Sequence, residues 1–124
     1  MPRRAVFLDR DGVVVEDTHF LREPNQVRLL PRVPQALRRL AARFYLIIVT
    51  NQSGIARGLF TEDDLLTVHQ RLVSQLAAHG AAVDGIYYCP HHPQAAVPQY
   101  RLACQCRKPS PGMLLRAAQD WDID

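Results

Sequence analysis

Asp9 and Asp11 are the residues best placed to do chemistry. The apolar run Ala5-Val6-Phe7-Leu8 leads straight into Asp9-Arg10-Asp11-Gly12. Four apolar residues ending in a polar turn read as a buried strand of a parallel sheet, and such sheets bind ligands beyond their carboxyl ends. In extended backbone, side chains two apart point the same way with Cα atoms roughly 7 Å apart, so the two carboxylates can face one ligand. Their like charge is costly to cluster, and a divalent cation would relieve it. A second strand-like run, Tyr45-Leu46-Ile47-Ile48-Val49, ends in Thr50-Asn51-Gln52-Ser53-Gly54. Thr50 and Asn51 offer a hydroxyl, an amide and turn N–H groups, which is phosphate-binding equipment. Arg107-Lys108 stands just ahead of a helix start, so two cations and a helix dipole can converge on one anion. Three loops would thus deliver acid, hydroxyl and cation to one rim.

A separate cluster points to a metal. All three cysteines lie in Cys89-Pro90-His91-His92 and Cys104-Gln105-Cys106. An odd number of clustered cysteines favours a metal site over disulfides. Cys89, His91, Cys104 and Cys106 make a Cys₃His zinc set with no open position, hence a structural site. His92 is an alternative to His91, although Cys89 and His91 match Cys104 and Cys106 in spacing.

The elements that must position these groups alternate. Ala5–Leu8, the run from Tyr45 and Gly85-Ile86-Tyr87-Tyr88 read as strands. Between the first two, Val33, Ala36, Leu37, Leu40 and Ala41 follow the stripe of an amphipathic helix, with Pro34 in its first turn. Thr61 and Asp64 form a capping-box-like start for a helix carrying Leu65, Val68, Leu72, Val73 and Leu76 to His79-Gly80. Ser110 and Pro111 suit the N-cap and first position of a last helix with Met113, Leu114, Ala117, Ala118 and Trp121. Residues 13–32 show no sustained period and read as a mobile loop or small flap; residues 89–108 read as an ordered loop. His69 and His79 read as surface or boundary residues. The expected class is α/β, Rossmann-like: a three-layer parallel sheet with helices on both faces and a zinc loop inserted at residues 89–106.

Size and composition agree. The chain has 124 residues, is 48% hydrophobic and carries a formal net charge of +3, which allows one compact domain and suits a phosphorylated ligand. No apolar stretch approaches the roughly 20 residues of a membrane span, and the expectation is a soluble, cytoplasmic protein.

Taken together, Asp9-Arg10-Asp11-Gly12-Val13, residues 50–58 (Thr-Asn-Gln-Ser-Gly-Ile-Ala-Arg-Gly), the Cys-x-His and Cys-x-Cys loop, and Cys106-Arg107-Lys108-Pro109 resemble the haloacid dehalogenase (HAD) superfamily. Within it they resemble the heptose-bisphosphate phosphatases and the histidinol-phosphatases. The resemblance implies a magnesium-dependent phosphomonoesterase acting on a small phosphorylated metabolite. Asp9 would attack phosphorus, and Asp11 would protonate the leaving oxygen and then activate water. Mg²⁺ would be held by Asp9 and the Asp11 backbone carbonyl, and Thr50 and Lys108 would stabilise the transferring group. Asp17, Thr18, His19, Phe20, Asn51, Gln52, Ser53 and Arg107 would line the substrate site. The substrate expected is the 7-phosphate of D-glycero-D-manno-heptose 1,7-bisphosphate. Histidinol phosphate is one alternative, and a zinc-bearing binding module without catalysis is another.

The chain departs from the heptose enzymes at residues 17–20, which lack their Gly-Tyr, and from the superfamily pattern near Asp122 and Asp124, where a Gly-Asp motif on a further strand is missing. The expectation is therefore a single HAD-like domain over residues 1–124, incomplete at its C-terminus. A monomer is expected, with no membrane or nucleic-acid partner.

Overall fold

A computed structural model describes residues 3–124. Its centre is the strand Tyr45–Asn51 (β2), whose Leu46, Ile47 and Ile48 are wholly buried. Such a strand must be apolar on both faces because helices cover both. Ala5–Leu8 (β1) runs parallel to it from the Ala5–Tyr45 pair to Leu8–Ile48. On the other side Gly85–Cys89 (β3) runs parallel from Gly85–Ile47 to Cys89–Asn51. The order is β1-β2-β3.

Alternation along β2 divides the core into two layers. Leu46 and Ile48 face the helices Val33–Ala41 (α1) and Glu62–Ala78 (α2), packing with Leu37, Val68, Leu72 and Leu76. Ile47 and Val49 face Gly112–Trp121 (α3), packing with Met113 and Ala117. Each fully buried Leu or Ile contributes about 1.5–3 kcal/mol relative to exposure, so the sheet is held from both sides.

The helices begin and end for local reasons. In α2 the Thr61 hydroxyl accepts from the Asp64 N–H at 3.1 Å, and the Asp64 carboxylate accepts from the Thr61 N–H at 2.9 Å, a reciprocal capping box. Its buried stripe is Leu65, Val68, His69, Leu72 and Leu76. Val73, expected in that stripe, is exposed, and His69, expected at the surface, is buried. The face that meets the core therefore includes the position four after Leu65 and excludes the position eight after it. In α1, Pro34 and Leu37 are buried while Ala36 and Ala41 are exposed. α3 starts one residue later than the Ser110–Pro111 signal suggests, with Pro111 as N-cap. Its first residue, Gly112, donates its N–H to the Gln105 carbonyl at 2.7 Å. A Cβ there would stand 2.2 Å from that oxygen, so only glycine lets α3 dock this closely on the cysteine loop. Leu114 is exposed, leaving Met113 and Ala117 as the buried anchors.

Residues 13–32 form a small flap tied into the core. Val14, Val15, Leu21 and Val27 are buried, and residues 14–16 pair with 28–30 through Glu16 N–H to Arg28 O at 2.8 Å and Leu30 N–H to Val14 O at 3.0 Å. The aperiodic sequence hides this because the buried valines are adjacent and serve a turn rather than a strand face. After α3 the chain returns beside β1. Tyr45 donates to the Arg4 carbonyl on one side, and Asp124 donates to the Arg3 carbonyl on the other, with Ile123 in a parallel bridge to Arg3. Among the described residues, no helix is long and apolar enough to cross a membrane.

Candidate active site

The carboxyl ends of β1 and β2 lie side by side, and the polar tips gather there. Asp9 follows β1 directly. Its Oδ1 accepts from the Arg10 N–H at 2.8 Å and lies 3.5 Å from Lys108 Nζ. Asp9, Lys108, Phe7, Val49, Ser110 and Met113 help to line a cleft of about 520 Å³. Lys108 is held in place through its backbone: its N–H donates to Asn51 Oδ1 at 2.9 Å, and the Asn51 amide donates to its carbonyl at 3.4 Å. The tip of β2 therefore fixes the lysine that reaches the first acid.

Asp11 sits one turn further on. Gly12, with φ +80°, makes that turn, and the Arg10 carbonyl accepts from Val14 and Val15 at 2.9 and 3.0 Å. Asp11 is gripped by a fork: Arg10 Nε donates to Oδ1 at 2.8 Å and Nη2 to Oδ2 at 3.0 Å. Gln52 Nε2 also donates to Asp11 Oδ2 at 3.2 Å and to the Thr50 hydroxyl oxygen at 2.8 Å. Thr50 is 1% exposed. Since its oxygen accepts from Gln52, its hydroxyl proton is left free to donate.

Asp11, Asp17, His19, Phe20, Asn51, Gln52, Ser53 and Gly54 line a second cleft of about 180 Å³. It brings the flap and the β2 tip together, with Arg57 lying over the Phe20 ring at 5.5 Å. Thr18 is not among the lining residues, and its hydroxyl is buried without a partner. Arg107 points toward the cysteine loop, donating from Nη1 to the His91 carbonyl at 3.4 Å.

Two groups escaped the sequence reading. Arg10 is 1% exposed and His69 8%, and Arg10 Nη1 lies 3.2 Å from His69 Nε2. Burial first, and the Arg10 charge second, push the imidazole down to about 3 from its usual 6.5. The Tyr88 ring of β3 lies 6.4 Å away, and Glu62 and Asp63 share the adjoining cleft. Because folding lowers this pKa, the unfolded chain binds the extra proton. The stabilisation is complete above about pH 6.5 and is lost as pH falls toward 3. Across that window stability is expected to fall by up to about 1.4 kcal/mol per pH unit from this group. Denaturant titrations of the parent protein and His69→Gln should differ by that slope; identical slopes would refute it. The signal was available in the spacing, since 65, 69, 72 and 76 fall on one helical face.

Cys89, His91, Cys104 and Cys106 converge, with their ligand atoms all within 4.8 Å of one another. Cys89 and Cys104 sulfurs are 3.3 Å apart, as are those of Cys104 and Cys106; His91 Nδ1 lies 3.7 Å from Cys89 and 3.4 Å from Cys106. Disulfides need about 2.05 Å. The edges of a zinc tetrahedron with 2.0–2.3 Å bonds measure roughly 3.5–3.8 Å; the observed separations are within about 0.5 Å of that and far from a disulfide, so a Cys₃His donor set of this kind suits zinc. His92 is engaged elsewhere, its Nδ1 accepting from the Gln94 N–H at 3.0 Å. At the acidic rim the donors are hard oxygens, as magnesium prefers. With both Asp11 side-chain oxygens in the Arg10 fork, the free acceptors are the Asp9 carboxylate and the backbone.

Known proteins share this fold. No family model matches the sequence. Among solved structures, a HAD-like phosphatase from Mesorhizobium loti superposes with a TM-score of 0.93 at 35% identity, over 99% of this chain and 59% of that one. The D,D-heptose 1,7-bisphosphate phosphatase from B. bronchiseptica, complexed with magnesium and phosphate, superposes with a TM-score of 0.83 at 41% identity, over 98% and 65%. Fold and rim together define a member of the HAD-like class. A curated D-glycero-beta-D-manno-heptose-1,7-bisphosphate 7-phosphatase from Rhodopseudomonas palustris is 45% identical over 99% of this chain and 69% of its own length. The chain belongs to the family of those heptose-bisphosphate 7-phosphatases. It spans 63–69% of the length of its curated relatives.

Proposed function

We propose that this chain carries the phosphoryl-transfer site of a phosphatase that removes the 7-phosphate of D-glycero-D-manno-heptose 1,7-bisphosphate. The observation that carries the reading is the rim itself, where Lys108 lies 3.5 Å from Asp9 while Gln52 links Asp11 to Thr50. The Asp9 carboxylate attacks phosphorus and the bond to the sugar oxygen breaks, that oxygen taking a proton from Asp11. Asp11 then accepts a proton from water, whose oxygen attacks the aspartyl-phosphate and frees phosphate and Asp9. An acyl phosphate hydrolyses far more readily than a phosphate ester, which is why two steps outpace one. Lys108 Nζ and the Thr50 hydroxyl supply cation and donor to the equatorial oxygens. Asp9 and the Asp11 carbonyl would hold Mg²⁺, which would offset the repulsion between carboxylate and phosphate.

In the same reading Cys89, His91, Cys104 and Cys106 would hold zinc, which would fix residues 89–106 as a structural loop. The flap and the β2 tip, with Asp17, His19, Phe20, Asn51, Gln52 and Ser53 along their cleft, bind the sugar, and Arg107 meets the remote phosphate once it leaves the His91 carbonyl. Thr18 would shape the flap from behind. In this reading the protein acts in the cytoplasm as a monomer, without membrane or nucleic acid. A phosphate-release assay with heptose bisphosphate, histidinol phosphate and a 3′-phosphorylated oligonucleotide tests this. Preference for heptose bisphosphate by at least about tenfold in kcat/KM is expected, about 1.4 kcal/mol of discrimination. Faster hydrolysis of either other ester would overturn the substrate assignment.

A further inference from the structure

We propose that His69 is a positioning residue for the acid–base carboxylate. Through Nε2 it accepts a hydrogen bond from Arg10 and so fixes the guanidinium that grips both oxygens of Asp11. The inference rests on the phosphatase reading above and adds to it a residue from α2, far from the rim in sequence.

The geometry leaves little freedom. Arg10 donates three ways, from Nε and Nη2 to Asp11 and from Nη1 to His69 at 3.2 Å. At 1% exposure it has no water to turn to. Arginine offers no acceptor, so the facing His69 nitrogen must be the unprotonated one, which places the ring proton on Nδ1. Burial and the Arg10 charge keep the ring neutral and therefore able to accept. A buried guanidinium that lost this acceptor would carry an unsatisfied N–H and rotate to find another, taking the fork with it. Asp11 would then meet leaving group and water in varied orientations, and proton transfer is sensitive to that alignment.

The test compares His69→Leu, which removes the acceptor at similar size, with His69→Gln, which restores one, in the metal-loaded protein. Expected for His69→Leu is a fall in kcat of about 10- to 100-fold with KM changed by less than about threefold, while His69→Gln stays within about threefold of the parent. With p-nitrophenyl phosphate, whose leaving group departs without a proton, His69→Leu should show a burst of one nitrophenol per protein that the parent lacks. Aspartyl-phosphate then accumulates because only the base step is impaired. Should His69→Leu fail to fold, His69→Met carries the same comparison. An active parent with an equally active, burst-free leucine or methionine variant overturns this inference alone. Equal loss in leucine and glutamine variants also overturns it, since the acceptor would then not matter. A parent protein inert toward every ester overturns the phosphatase reading and this inference with it.

Discussion

Asp9→Asn is expected to abolish turnover while leaving the fold intact. The carboxylate is the group that would bond to phosphorus, and an amide oxygen is too poor a nucleophile to replace it. A fall in kcat of at least about 10⁴-fold is expected, as for other nucleophile deletions. The fold should survive because Asp9 is half-exposed and its ion pair with Lys108, at 3.5 Å, is also half-exposed; such a pair is worth about 1 kcal/mol or less. Substrate should bind at least as tightly, since one negative charge facing a phosphate is gone. Incubation with ³²P-labelled ester and trapping in acid should label a small steady-state fraction of the parent protein and leave Asp9→Asn unlabelled. A variant that still turns over at the parental rate, or still acquires label, would remove Asp9 from the centre of the mechanism.

The parts legible in the sequence were those dictated by local pattern. The five apolar residues from Tyr45 to Val49 could only be a strand covered on both faces, and the two core layers bear that out. Polar groups directly after each strand had to lie at one end of a parallel sheet, which is why Asp9, Asp11, Thr50 and Asn51 were found together. The cysteine and histidine spacing constrained the metal cluster equally well. What sequence could not supply was the choice of partner. Nothing local marks Arg10 for burial, yet its side chain turns inward to His69, 59 residues away, which offers it an acceptor. The same turn removes Asp11's side-chain oxygens from any shared cation, so the two acids, equivalent by spacing, become unequal. Arg107 likewise looked aimed at an anion, but the nearby His91 carbonyl takes its guanidinium. In each case the deciding group lies beyond the reach of helix or strand periodicity, on another element for Arg10 and across the cysteine loop for Arg107.

Removing zinc is expected to disorder residues 89–106 and, through them, to disable the rim. The loop buries few side chains of its own, chiefly Cys89, Pro90 and Ala95, so metal coordination would supply most of what offsets its conformational entropy. Burial also pushes the Cys89 thiol up from its ordinary value, so binding a metal there releases a proton that the metal-free cluster keeps. The loop is tied to the rest at several points: Val97 N–H donates to the Ala56 carbonyl at 3.0 Å, Gly112 to Gln105 at 2.7 Å and Gln52 to Cys89 at 2.8 Å. Tyr88 and Tyr100 both donate to the Glu62 carboxylate at the start of α2. Loss of the metal should therefore destabilise the protein by several kcal/mol, on the order of half a zinc-finger peptide's binding energy, because β1, β2 and α2 retain their own core. Chelation, or Cys104→Ser, is expected to lower the melting temperature by about 10 °C or more and to reduce phosphate release at least about tenfold, with much of the helical circular dichroism retained. Cobalt substitution should restore both and show the thiolate charge-transfer absorption of a tetrahedral site. A chelated protein that melts and turns over like the parent would show that the cluster needs no metal and that Lys108 is held by Asn51 alone.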